Sequence, residues 1–166
     1  MPGASEINPF LARFLPLLNP LALLPSDLWG RQAEDFTYSV NFLPATGSVT
    51  TQGTVQINND SDFVLCGMRA TPAADPGEVV FTTCPALTIQ ITDSGSGRSF
   101  FDQPAALPNV CGIAVTNADF GQGARYFPKL IAGGSTLTVA ITNLTATAVR
   151  LRLSFRGFKL FPFAKG

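Results

Sequence analysis

The chain has 166 residues, 46% hydrophobic and only 13% charged, and its 11 basic residues balance its 11 acidic ones. That length suits one domain plus an extension, and zero net charge argues against the broad basic face that wholesale nucleic-acid binding requires. The charge content falls well below the roughly 25% of an ordinary soluble protein, which points to a surface that is neutral polar or covered by other subunits.

The first segment, Ile7 to Leu24, reads INPFLARFLPLLNPLALL, with prolines at 9, 16 and 20. A membrane-spanning helix needs about 20 apolar residues without such breaks, and Pro16 and Pro20 would each remove a helix hydrogen bond. A signal peptide fits poorly as well, because Glu6 and no Lys or Arg precedes the segment. The remaining reading is an arm of short turns or extended pieces, 1–34. Its Phe10, Leu11, Phe14, Leu15, Leu17, Leu18, Leu21 and Leu24 need a cover, on their own domain or, as the low charge favours, on a neighbouring subunit. Ser26 reads as the N-cap of a short helix through Trp29 and Arg31 to about Glu34, with Asp27 favouring its dipole.

From Asp35 the apolar period becomes two and stays so to the end, which marks a β domain over 35–166. Phe36, Tyr38, Val40 and Phe42 alternate with polar residues, then Val49, Thr51, Gly53, Val55 and Ile57 do the same. Asn58, Asn59 and Asp60 supply a turn, and a strand over Asp62 to Ala70 precedes a loop from Pro72 to Gly77. Shorter strands are predicted at Val79 to Thr82, Leu87 to Thr92, Arg98 to Phe101 and Val110 to Ala114. Asn117 to Lys129, with Gly121, Gly123 and Pro128, reads as a long irregular excursion. Gly133 and Gly134 form a turn, followed by strands through Leu137, Val139 and Ile141 and through Val149, Leu151, Leu153 and Phe155. Eight or nine short strands imply an all-β, two-layer antiparallel sandwich, with a jelly roll as one topology and a barrel as the runner-up.

Chemistry-bearing motifs are scarce. There is no histidine, which removes the usual general base, the commonest transition-metal ligand and the Ser-His and Cys-His pairs. NNDSD, with Asp60 and Asp62, shares the start of a calcium loop, but Leu65 and Thr71 stand where the loop glycine and the bidentate acid belong, so it reads as a turn. DSGSGRS, Asp93 to Ser99, has the glycines of a phosphate cradle but is followed by strand-like Phe100 and Phe101 instead of a helix, so it reads as a hairpin turn with positive φ at Gly95 and Gly97. Asn143, Leu144 and Thr145 match a glycosylation acceptor in what reads as the last turn. Cys66, Cys84 and Cys111 lack zinc or redox spacing and read as reduced, buried thiols, with one bridge plus one free thiol as the alternative. No catalytic residue, metal or cofactor is expected.

With 14 Phe against 2 Tyr and 1 Trp, the aromatics suit a core better than a ligand platform. Phe158, Leu160, Phe161 and Phe163 form a second apolar stretch, expected to pack under the arm or on a neighbour. Trp29, Phe158, Phe161 and Phe163 therefore join the eight arm residues as interface candidates. The locally basic stretch of Arg150, Arg152, Arg156, Lys159 and Lys165 reads as charge protecting an edge strand, with a contact to an acidic neighbour as the alternative.

Two stretches, LTIQITDSGSGRSFFDQPAALPNVCG (87–112) and FPKLIAGGSTLTVAITNLTATAVRLRLSFRGFKLF (127–161), resemble a family of small virion structural proteins of tailed bacteriophages. The resemblance covers about the last half of the chain, and no enzymatic motif comes with it. It implies a capsid decoration or cement protein, with head-to-tail or tail components and a host-binding spike module as alternatives. Its implied partners are the major capsid protein or other virion proteins and further copies of itself, as a trimer by analogy with shell cements, and its implied place is the virion, assembled in the host cytoplasm.

Overall fold

In the computed structural model, which describes residues 26–28, 30–43, 46, 48–75, 85–113 and 124–162, the alternating segments become strands. The long ones are β1 (Ala33–Phe42), β2 (Thr50–Gln56), β3 (Asp62–Ala74), β4 (Leu87–Asp93), β8 (Ala124–Ile131), β9 (Thr136–Asn143) and β10 (Val149–Leu160). Three two-residue strands, β5 (Arg98–Ser99), β6 (Ala105–Ala106) and β7 (Gly112–Ile113), one α-helical turn, α1 (Leu107–Val110), and one 3-10 turn, Ser26–Leu28, complete the described elements.

Pairing is nested: β1 lies beside β10, β2 beside β9, β3 beside β8, and β4 beside β5 and β6, all antiparallel. Two further antiparallel ladders, β10 with β3 and β9 with β4, join these pairs into one sheet ordered β1-β10-β3-β8 and another ordered β2-β9-β4-β5. A chain folded back on itself in this way and wrapped into two layers is a jelly roll. The one parallel contact is short, with Arg69 and Ala70 of β3 beside Gly112 and Ile113 of β7.

Alternate residues point into the space between the layers. Phe63, Leu65, Ile89, Ile91, Leu137, Val139, Ile141, Leu151, Leu153 and Phe155 are each at most 1% exposed there, and Tyr38 stands edge-on to Phe63 with centroids 5.0 Å apart. Phe42 passes over β2 where Gly53 leaves room, since a Cβ on Gly53 would lie 2.7 Å from the Phe42 ring. The turns follow side-chain chemistry: Gly134 takes φ +78 and donates to the carbonyl of Ile57 at 3.2 Å.

Several sequence expectations need correction. The segment after Ser26 is a single 3-10 turn, Ser26–Leu28, and not a helix to Glu34, because Ala33 and Glu34 already pair with Leu160 and Lys159. β3 does not stop before Pro72 but runs through it to Ala74, pairing beyond Ala70 with β10 alone among the described residues, so an imide there costs no second described ladder. Likewise Pro128 lies inside β8, which pairs only with β3 among the described residues and so tolerates a missing N–H. Val110 ends α1 and does not start a strand, and the strand in the 98–101 run is only Arg98–Ser99, with one further backbone bond from the Phe100 amide to the Ile91 carbonyl at 2.8 Å. Gly97 has φ +65, whereas Gly95 has no positive φ and is small because its Cβ would meet Ser135 at 2.9 Å. The predicted strand at 79–82 and residues 117–123 of the predicted excursion lie outside the described residues.

Candidate interface surfaces

Among the described residues, the buried polar side chains of Asp93, Asn143 and Lys159 serve the fold. Asp93 is 2% exposed, and its carboxylate accepts from the amide of Gly95 at 3.0 Å and the hydroxyl of Ser96 at 2.7 Å, closing the β4–β5 turn. Lys159 points into the mouth of the sandwich, its Nζ 4.3 Å from the centre of the Phe36 ring and 3.7 Å from Asp60. Asp62 accepts from the amide of Gly133 at 2.9 Å, so both aspartates of NNDSD are structural. Among the described residues no group of three or more Cys, Asp or Glu is placed to hold a metal ion.

Asn143 is fully buried, donates from Nδ2 to the carbonyl of Thr147 at 2.9 Å, and accepts at Oδ1 from the Thr145 amide and hydroxyl at 2.9 and 2.7 Å. It is therefore the pivot of the β9–β10 turn, not a glycan site. Asn143→Ala strips three hydrogen bonds from a buried site and is expected to cost about 2 kcal/mol, read as a lower urea midpoint with an unchanged slope.

With the interior accounted for, the outer surfaces carry the distinctions. On the second sheet the outward positions are Thr50, Gln52, Thr54 and Gln56 on β2, Thr136, Thr138, Ala140 and Thr142 on β9, and Thr88, Gln90 and Thr92 on β4. None is charged. Their side chains bond to one another, as in Thr50 to Thr142 at 2.8 Å and Thr136 to Gln56 at 2.7 Å. This carpet accounts for much of the charge deficit seen in the composition.

The first sheet presents a different outer face. At the end where β3 and β10 meet, its outward residues include Val64, Phe158 and Leu160, with Cys66 at the bulge where the register shifts between Arg156 and Gly157. Val64 and Leu160 are 0% and 1% exposed although they point away from the main core, and Leu28 and Cys66 pack on them. A second small core thus sits on the outside of the sandwich, at the base of the N-terminal arm.

Arg31 fastens the chain there. Its Nη1 is 2.7 Å from Asp62 Oδ2, its Nε donates to the Phe161 carbonyl at 2.8 Å and its Nη2 to the Leu160 carbonyl, while the Phe161 amide donates to Gln32 at 3.0 Å. Burial and the nearby Asp35 carboxylate push the Cys66 thiol from an ordinary 9.0 up to about 11. The unfolded thiol ionises first, so this group's contribution to stability holds below pH 9.0 and is lost as pH rises towards about 11. Iodoacetamide labelling of Cys66 at neutral pH is expected to be much slower in the native protein than in urea.

Of the interface residues predicted from sequence, Phe158 and Phe161 are half-buried beside this outer core. Phe10, Leu11, Phe14, Leu15, Leu17, Leu18, Leu21, Leu24, Trp29 and Phe163 lie outside the described residues. Leu28, Arg31, Val64 and Cys66 are not among the interface candidates expected from sequence, where Cys66 reads only as a buried thiol. The signal for Val64 was present in the unbroken apolar run Phe63–Cys66, which marks a strand covered on both faces.

No family model and no curated protein matches the chain. Among solved structures it is similar to the infectious bursal disease virus VP2 subviral particle, with 12% sequence identity over 81% of this chain and a TM-score of 0.33. The matched part spans 42% of that VP2 chain, and at this TM-score the likeness carries no argument about what this chain does.

Proposed function

We propose that the chain is a non-enzymatic structural virion protein of a tailed bacteriophage, most specifically a decoration or cement subunit that stabilises the shell. The observation that carries this reading is the outer core of Val64 and Leu160, buried on the solvent side of a complete sandwich where the apolar arm enters. A jelly roll that already has its own core needs no second one for folding. A pinned exit for a leucine-rich segment suits a subunit that reaches onto its neighbours. Each Leu or Phe fully buried contributes roughly 1.5–3 kcal/mol, so the eight Leu and Phe of the arm named as interface candidates are enough to hold a subunit in a lattice. The resemblance of 87–112 and 127–161 to phage virion proteins supports the same reading, with capsid protein and further copies of this chain as partners.

Cryo-microscopy of the phage particle tests it. Density for this jelly roll repeated over the shell supports the cement role, density at the neck or tail keeps the virion role and overturns the shell position, and particles without the protein overturn the reading.

A further inference from the structure

The charged outer face of the first sheet is not explained by the fold. Arg150, Arg152 and Arg156 occupy outward positions of β10, the first two about 6.6 Å apart along the strand and the last two about 13 Å apart, and Arg69 of β3 sits opposite Ser154 between the last two. Arg150 is neutralised by Asp75 at 2.6 Å and Arg152 bonds to the neutral Asn41 at 3.2 Å. Arg69, Arg152 and Arg156 meet no carboxylate within 4.0 Å among the described residues. No two of these arginines stand directly opposite one another, since Arg69 faces Ser154, Arg152 faces Thr71 and Arg156 faces Gly67, so the face gathers positive charge without a direct cross-strand clash and leaves it available to a partner. An open depression of about 510 Å³ beside Asn41, Thr71, Ala73 and Arg152, with Leu43 56% exposed at its rim, leaves room for an entering side chain.

We propose that this face docks, through Arg69, Arg152 and Arg156, on a carboxylate-rich protein surface. The inference rests on reading the chain as an assembly subunit and names the face and the partner chemistry of that contact. The cations on these strand positions are all arginine, whose rigid fork matches a carboxylate in two hydrogen bonds. Ser39, Ser154 and Thr71 stand between them as neutral hydrogen-bonding neighbours, and among the described side chains no Tyr or Trp is present on this face for a base to stack on. A chain with no net charge also lacks the long-range field that gathers nucleic acid. The opposite sheet's uncharged carpet offers no comparable contact, so charge complementarity fixes which side faces the partner.

The test uses the full chain against an immobilised glutamate-rich peptide, with polyphosphate and duplex DNA as rival probes. Binding to the peptide at low ionic strength is expected, lost at least about tenfold in Arg152→Glu/Arg156→Glu and weakened by salt, with Gln52→Glu on the other sheet nearly neutral and melting unchanged. Equal binding by the charge-reversed variant, no peptide binding, or binding to polyphosphate or DNA alone overturns the proposal. Particle incorporation separates the two readings. Variant protein incorporated as well as wild type sinks this inference and leaves the virion role standing, whereas charge-dependent peptide binding by a protein absent from particles does the reverse.

Discussion

Replacing Gly157 with alanine is expected to lower the stability of the domain by about 3 kcal/mol, at the upper end of what overpacking costs. Gly157 lies in β10 opposite the bulge in β3, and a Cβ there would fall 1.9 Å from the Val64 carbonyl oxygen, 2.8 Å from its carbon and 3.0 Å from the Phe63 ring. The nearest atom is backbone, which cannot rotate away as a side-chain tip would. β10 is held on both sides, by β1 and by β3, so relief would break one ladder or the other. Urea denaturation should show a midpoint lowered in proportion, with an unchanged slope. Gly97→Ala is the control: its φ of +65 is strained for alanine but nothing lies within 4 Å, so a cost of about 1 kcal/mol is expected. Equal costs at the two sites would contradict the packing account.

Arg31→Ala is expected to cost about 2–3 kcal/mol, because the Arg31 side chain is 10% exposed and its removal takes the Arg31 donors from Asp62 Oδ2 and from the Leu160 and Phe161 carbonyls. The loss should be local before it is global. Amide exchange at Phe161, whose N–H bonds to Gln32, should accelerate more than exchange in β9 at the centre of the second sheet. Arg31→Lys keeps the charge yet lacks the fork that reaches three acceptors, so it should recover only part of the loss. If exchange at Phe161 is unchanged in Arg31→Ala, the clamp does not hold the arm's exit.

The parts of the fold legible in the sequence were those with local causes. Alternation through Phe36–Phe42 and Val149–Phe155 is enough to place strands and to say which side chains meet in the core. The turn at Gly133 and Gly134 and the DSGSGRS turn follow from residue chemistry. What stayed hidden depends on neighbours in space. Pro72 and Pro128 look like strand breakers until the ladders show that, among the described residues, each lies where its strand has a partner on one side only. The nested pairing of β1 with β10 brings together residues more than a hundred positions apart, and no local pattern encodes it. Arg31 has its partners at Leu160 and Phe161, so its role is invisible along the chain. Phe158 and Phe161 were found because apolar residues stand out near a strand end, whereas the basic strip resolves into a face only when Arg69 is set beside β10.

The account turns on whether the arm is an assembly element, and light scattering of two purified proteins tests this most directly: the full chain, and a chain beginning at Ser26 that keeps the Arg31 clamp. A defined oligomer or self-association of the full chain, with the shortened form a folded monomer, is the predicted result. If both are equally monodisperse monomers, the arm packs on its own domain and the assembly role is contradicted.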